Sequence, residues 1–173
     1  QWRIFRLDDA IMPMQGWQVI MATTAGEKKI RKKDNIPAVV YDKVSLTSVQ
    51  YTAEVSLEAY SRLGKKSVLY SRLKGAHLFN DANNLFLNDL YRLGGLKTFR
   101  GFNEWYFYAS SYATATAEYR FYTEPGSYLL LFTDLGYMQN ILLTSGKNDF
   151  PIGVGGGVTL TTKAGLFSFI YAL

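Results

Sequence analysis

Residues 49–59, VQYTAEVSLEA, decide the fold class of this chain. The odd-numbered positions of this stretch are all apolar, and the even-numbered positions are all polar. Successive side chains of a β-strand point to opposite faces, so strict alternation predicts a strand with one apolar and one polar face. The same alternation recurs in residues 109–122 and 128–137. The sequence therefore predicts an all-β protein whose sheet has two chemically different faces.

Four further stretches have strand character, and they bring the predicted total to seven strands. They are residues 17–25, 67–76, 152–161 and 165–173. Each predicted strand has about 9 to 15 residues, which is the length that a tilted strand needs to cross the apolar layer of a membrane. No comparable stretch has its apolar residues at helical spacing.

The predicted connections alternate strictly between short and long. The short ones are residues 61–66, 124–127 and 162–164, and the long ones are 26–43, 77–108 and 138–151. An antiparallel meander with short turns on one rim and long loops on the other is typical of an outer-membrane β-barrel. A soluble β-domain is the alternative, but its turn lengths need not alternate. In the barrel, the apolar face contacts lipid and the polar face lines the lumen.

Composition excludes several other classes of protein. The chain of 173 residues has no cysteine and one histidine, His77, so disulfides, zinc–thiolate sites and multi-histidine metal sites are excluded. We expect no catalytic residue, no metal and no other cofactor. The net charge of the chain is +5, and basic residues are concentrated in residues 27–35, EKKIRKKDN. We interpret this run as a solvated loop, with contact to phosphate-rich lipid as the alternative and no nucleic acid as partner.

The connection predicted over residues 77–108 is about 30 residues long, and structureless loops of that length are usually functional or disordered. Its second half is rich in aromatic residues, which disorder does not favour. We therefore expect it to fold into the lumen, where Arg100 would need an acidic partner. The predicted lumen face offers Glu118 and Asp134. The run GVGGG at residues 153–157 is predicted to be a strand whose small residues leave room for this loop.

Three motifs in this order carry a resemblance to a known family. They are GGLKTFRGF at residues 94–102, TAEYRF at 116–121 and LFTDLG at 131–136, and the closing residues 153–173 fit as well. The chain resembles the BamA/TamA and two-partner-secretion transporter superfamily. The resemblance implies the C-terminal part of a 16-stranded barrel in the bacterial outer membrane. Residues 1–173 would cover strands nine to fifteen, with POTRA-type domains upstream and the final strand downstream.

The resemblance also implies roles for individual residues. In the family, the sixth extracellular loop folds back into the lumen, and its arginine matches Arg100. The signature-loop residues are Gly94, Gly95, Arg100, Gly101 and Phe102, and the docking partners in the lumen are Glu118, Phe132 and Asp134.

The function implied is the assembly and insertion of other outer-membrane proteins. The expected partners are the lipid bilayer, the remaining strands and periplasmic domains of the same protein, client barrel proteins and accessory lipoproteins. Two alternatives stay open. One is a two-partner transporter that secretes a protein, and the other is a barrel that anchors a patatin-like enzyme.

Overall fold

The computed structural model describes residues 1–32, 37, 45–80, 85–140 and 147–173. The strands are β1 Trp2–Leu7, β2 Gly16–Lys29, β3 Thr47–Arg62, β4 Ser67–Asn80, β5 Tyr91–Leu93, β6 Phe107–Ala109, β7 Ser111–Glu124, β8 Ser127–Asn140, β9 Lys147–Asp149, β10 Ile152–Thr162 and β11 Gly165–Ala172. One 3-10 turn, Leu87–Asp89, precedes β5. Within the ranges given above, no helix has the length and apolarity to span a membrane.

The long strands form one antiparallel sheet in the order β1-β2-β3-β4-β7-β8-β10-β11, and β9 also pairs with β8. Strands β5 and β6 form a separate two-stranded hairpin. In the part of the chain that the structure describes, the sheet is open, with β1 and β11 at its edges. The prediction of an antiparallel all-β fold, part of a larger barrel, is confirmed.

All seven predicted strands are present, but the sequence reading missed β1. In the sequence WRIFRL of β1, Phe5 follows Ile4 directly, so the alternation is broken. The strand is nevertheless paired with β2 over its whole length, from Trp2 opposite Met21 to Leu7 opposite Gly16. The Phe5 ring lies 5.1 Å from the guanidinium carbon of Arg3. Pairing with a neighbour, which local sequence does not reveal, therefore brings the consecutive strands of the main sheet to eight in the described part of the chain, one more than predicted.

Several strands extend further than the alternation predicted. Strand β4 continues to Asn80, because residues 77–80 pair with β3, and β8 continues to Asn140. The predicted connections are correspondingly shorter. Residues 27–29 of the basic run belong to β2. The remainder of that run from residue 33 onward lies outside the described residues, as do residues 141–146 of the last long connection.

The two faces of the sheet differ as the alternation predicted. We call the face that carries Glu118 and Asp134 the inner face, and the opposite one the outer face. On the outer face, Leu57 is 43% exposed and Leu131 is 67% exposed, whereas Glu118 and Asp134 are 4% and 2% exposed. The outer face is therefore an apolar surface of the kind that contacts lipid, and the inner face carries the buried polar groups.

The buried apolar residues lie between the inner face and residues 85–109, which we call the inserted loop. One cluster joins loop residues to β4, β7 and β8, and it consists of Ala76, Leu93, Phe99, Ala109, Tyr112 and Met138. A second cluster joins Leu78 of β4 to Leu85 and Leu90 of the loop. The loop is thus packed against the sheet by burial of apolar surface, in agreement with its aromatic composition.

Candidate functional site

The base of the inserted loop is attached to a distant strand. The Lys28 ammonium at the end of β2 pairs with the carboxylate of Asp89. The same ammonium lies 4.2 Å from the centroid of the Phe86 ring. Asp89 also accepts a hydrogen bond from the backbone N–H of Phe86, with an N···O distance of 2.8 Å. The 3-10 turn at the loop base is therefore held by both a charge pair and its own backbone.

The tip of the loop needs glycine for its backbone conformation. Gly94, Gly95 and Gly101 have φ angles of +125°, +82° and +95°, a region that other residues rarely adopt. The N–H of Gly94 donates to Oγ1 of Thr98 at 2.8 Å, and the N–H of Gly95 donates to the carbonyl of Phe102 at 2.9 Å. These turns fold the tip back on itself and direct Arg100 toward the inner face.

The Arg100 guanidinium binds two carboxylates on adjacent strands. Its Nε and Nη2 donate to Oδ2 and Oδ1 of Asp134 at 2.8 and 2.9 Å, and its Nη1 donates to Oε2 of Glu118 at 2.6 Å. The pair with Asp134 is bidentate, which is the strongest and most directional form of this interaction. Arg100 itself is 8% exposed. The structure thus brings together the three charged residues predicted from the sequence.

Phe132 completes the surroundings of the arginine. Its ring centroid lies 3.5 Å from the guanidinium carbon of Arg100, a cation–π contact. Phe132 is two residues before Asp134 on β8, so both side chains are on the inner face. Burial alone would lower the pKa of Arg100, but hydrogen bonds to Asp134 and Glu118 and their charges outweigh it, and this pKa is raised. The two carboxylates therefore stabilise the charged form of the loop arginine.

Glycines of the sheet give the loop tip its space. An ideal Cβ at Gly153 would lie 2.0 Å from the carbonyl oxygen of Arg100. A Cβ at Gly136 of β8 would lie 2.9 Å from the ring of Phe99, and a Cβ at Gly155 would lie 2.7 Å from the ring of Phe132. The strand predicted over residues 153–157 is confirmed as part of β10. Of its glycines, Gly153 leaves room for the loop, whereas Gly155 leaves room for the ring of Phe132 on β8.

Phe102, the last residue of the predicted signature, lies outside the charge cluster. Its ring is 5.6 Å from that of Phe99 and 4.9 Å from that of Phe107, centroid to centroid. Phe99 is 1% exposed and is the largest fully buried side chain in the described part of the molecule. The sequence reading did not single out Phe99, although a large aromatic residue next to the arginine is a signal for such an anchor.

Arg120 is a second residue that the sequence reading missed. Its Nε donates to Oε1 of Glu118 at 2.7 Å, so Glu118 contacts two arginines. The signal was present in the alternation, because Arg120 is two residues after Glu118 and shares its face.

His77 lies apart from this cluster, next to Phe79 and Ser111 at the far end of β4. Among the residues with described positions, no group of three or more His, Asp or Glu side chains could hold a metal ion.

These features define a class of protein. An antiparallel sheet with an apolar outer face, whose polar inner face binds a long loop through an arginine and two carboxylates, is part of a membrane β-barrel with an inserted loop.

The Omp85 superfamily domain matches residues 1–173, and the chain belongs to the Omp85 superfamily. The resemblance predicted from the loop motif is thereby confirmed. Members of this superfamily are outer-membrane proteins of Gram-negative bacteria, or of organelle membranes, and act generally in protein insertion or transport. No curated protein sequence matches the chain.

Proposed function

We propose that this chain is the barrel portion of an assembly factor that inserts other barrel proteins into the bacterial outer membrane. A client strand would pair with an exposed barrel edge by β-augmentation, which exchanges hydrogen bonds and needs no covalent chemistry. The drive for such pairing is large, because an unpaired backbone group in hydrocarbon costs several kcal/mol. Its partners would be the bilayer, client barrel proteins, periplasmic domains of the same protein and accessory lipoproteins.

The observation that carries this proposal is the position of Arg100 between β7 and β8. Through Glu118 and Asp134 the loop tip binds two adjacent strands, and the backbone of Arg100 rests on Gly153 of the next strand, β10. The loop therefore contacts three adjacent strands, β7, β8 and β10, and these contacts would keep that part of the barrel in the register that a client strand needs.

The alternative function, secretion of a protein through the lumen, has one observation in its favour. The inner face of β3 and β4 is lined by charges of both signs, which are Glu54, Glu58, Arg72 and Lys74, around a cavity of about 370 Å³. A surface with charges of both signs can interact with the polar groups of a polypeptide that moves through the lumen. The inserted loop, however, covers the inner face of β4, β7 and β8, so passage would require the loop to leave its site. Pairing of a client strand with a barrel edge would not require the loop to leave its site.

The test compares client folding with client export. The full-length protein is reconstituted in lipid vesicles, an unfolded outer-membrane barrel is added, and its folding is followed by heat-modifiable migration on gels. We expect the wild type to accelerate folding and Arg100→Ala to lose most of that effect while its own barrel remains folded. Acceleration no greater than that of an unrelated barrel of similar size would overturn the proposal. Uptake of a soluble partner into the vesicles, without client folding, would favour the secretion alternative.

A further inference from the structure

We propose that Arg120 is a positioning residue of the loop-docking site, which holds Glu118 in the orientation that Arg100 needs. This inference deepens the docking role of the loop and rests on the proposed function above. Arg120 lies on β7, two residues after Glu118 and on the same inner face. Its Nε donates to the carboxylate of Glu118, and we infer that its effect on the loop passes through this carboxylate.

The two oxygens of Glu118 are divided between two arginines. Oε1 accepts from Nε of Arg120 at 2.7 Å, and Oε2 accepts from Nη1 of Arg100 at 2.6 Å. A glutamate side chain loses substantial rotamer freedom when it is ordered. Because Arg120 already holds one oxygen, the other oxygen is directed at the loop arginine before the loop arrives. Arg120 thus reduces the entropy that docking must overcome.

Arg120 also balances the charge of the site. Glu118 and Asp134 carry two negative charges, and Arg100 alone supplies one positive charge. Arg120 supplies the second, through its ion pair with Glu118. Glu118 and Asp134 are 4% and 2% exposed, so an uncompensated charge there would be costly. With Arg120 in place, the four charged groups sum to zero.

Tyrosines from three strands keep Arg120 itself in place. Its guanidinium carbon lies 4.6 Å from the ring centroid of Tyr70 on β4, 5.1 Å from that of Tyr128 on β8 and 5.8 Å from that of Tyr60 on β3. Cation–π contacts of this kind favour a planar guanidinium over an ammonium group. The aromatic surroundings connect the docking site to β3 and β4 as well as to β8.

A purely structural role of Arg120 would differ from a positioning role in its dependence on Glu118. If Arg120 only filled the space among the three tyrosines, its replacement would disturb the barrel wall whether or not Glu118 is present. If it positions Glu118, its effect on the loop must depend on the Glu118 carboxylate. The two roles are therefore separated by the dependence of one substitution on the other.

The experiment measures loop docking directly, without a client protein. Full-length protein in lipid vesicles is treated with trypsin under native conditions, and cleavage after Lys97, an exposed residue of the loop tip, is followed by mass spectrometry. The variants are Arg120→Gln, Arg120→Lys and Glu118→Gln, alone and combined. The matched control is Arg72→Gln, because Arg72 lies on the inner face of β4 and bonds to Thr116 rather than to Glu118.

We expect Arg120→Gln to speed cleavage by about tenfold or more, as a lost hydrogen bond between charged groups implies. Arg120→Lys should restore part of the protection, since it keeps the charge without the planar group. In the Glu118→Gln background, Arg120→Gln should add little. Only molecules whose barrel remains heat-modifiable are scored.

Three results would overturn the inference. They are wild-type cleavage in Arg120→Gln, an equal effect of the Arg72→Gln control, and full additivity of Arg120→Gln with Glu118→Gln. If Arg120→Gln does not yield a folded barrel, Arg120→Lys compared with Arg72→Lys provides the same test. A loop released by Arg120→Gln with unchanged client folding would contradict the assembly function but leave the positioning role intact.

Discussion

The carbonyl oxygen of Arg100 occupies the space in which a side chain on Gly153 would have to lie. An ideal Cβ at Gly153 would be 2.0 Å from that oxygen, far inside any normal contact. The backbone of the inserted loop therefore rests directly on the backbone of β10. This close approach sets the depth at which the arginine reaches its carboxylates.

We expect Gly153→Ala to displace the loop tip although it removes no polar group. Backbone atoms of the loop would have to move, because the obstructing atom is a carbonyl and not the end of a flexible side chain. Gly26→Ala on β2 is the matched control, since a Cβ there meets nothing within 4 Å. Tryptic cleavage after Lys97 in membrane-inserted protein measures the displacement. Equal protection in both variants would show that the loop does not sit on Gly153 in the membrane.

Among single substitutions at the charge cluster, Arg100→Ala should be the most damaging. It leaves Glu118 and Asp134 close together without the loop cation, whereas loss of one carboxylate leaves the other able to pair. Loss of a fully buried charged partner costs on the order of 3 to 5 kcal/mol, and less where water in the lumen screens the site. Arg100→Lys should be intermediate, because lysine keeps the charge but cannot form the bidentate pair.

A double-mutant cycle between Arg100→Ala and Asp134→Asn measures this interaction. The readouts are the yield of heat-modifiable barrel and the protection of the loop from protease. We expect strong non-additivity, because the two side chains share two hydrogen bonds at 2.8 and 2.9 Å. Strictly additive effects would mean that Arg100 acts through some other partner.

The attachment of the loop base should be weaker and sensitive to salt. Lys28 and Asp89 form a partly exposed pair, with side-chain exposures of 26% and 17%, and such pairs contribute up to about 1 kcal/mol. Lys28→Ala should speed hydrogen exchange at the backbone amides of Phe86 and Asp89 by up to about fivefold. Lys29→Ala is the control, because Lys29 pairs with exposed Glu27 on the same strand. An effect that persists unchanged in concentrated salt would rule out a charge pair as its cause.

Neighbouring residues of β3 should differ sharply in their contact with lipid. Leu57 is 43% exposed on the outer face, and Ser56 lies on the inner face. Because the chain has no cysteine, single cysteines at these two positions can be labelled without further substitutions. A lipid-soluble quencher should reduce fluorescence at position 57 much more than at position 56. Equal quenching at both positions would contradict a barrel with a lipid-facing outer surface.

The charged residues of the site were predictable because alternation reports which face a side chain occupies. Once residues 109–122 and 128–137 are strands whose polar side chains face the lumen, Glu118 and Asp134 share a face, and an arginine of a loop folded against that face needs an acidic partner. Alternation alone could not find β1, because Phe5 interrupts the pattern and only pairing with β2 makes the segment a strand. Alternation also could not show that β4 continues to Asn80, because only pairing with β3 makes residues 77–80 part of that strand.

The sequence by itself thus determined the all-β class, the two faces of the sheet and the residue types of the docking site, since these depend on the period of two along each strand. Only the tertiary structure decided which groups meet. Three contacts join residues from different strands or from the loop. They are the hydrogen bonds of Glu118 with Arg100 and Arg120, the tyrosine rings around Arg120, and the contact of the Arg100 carbonyl with Gly153. Such contacts depend on strand register and loop path, which are set by pairing and packing over the whole sheet and not by any local pattern.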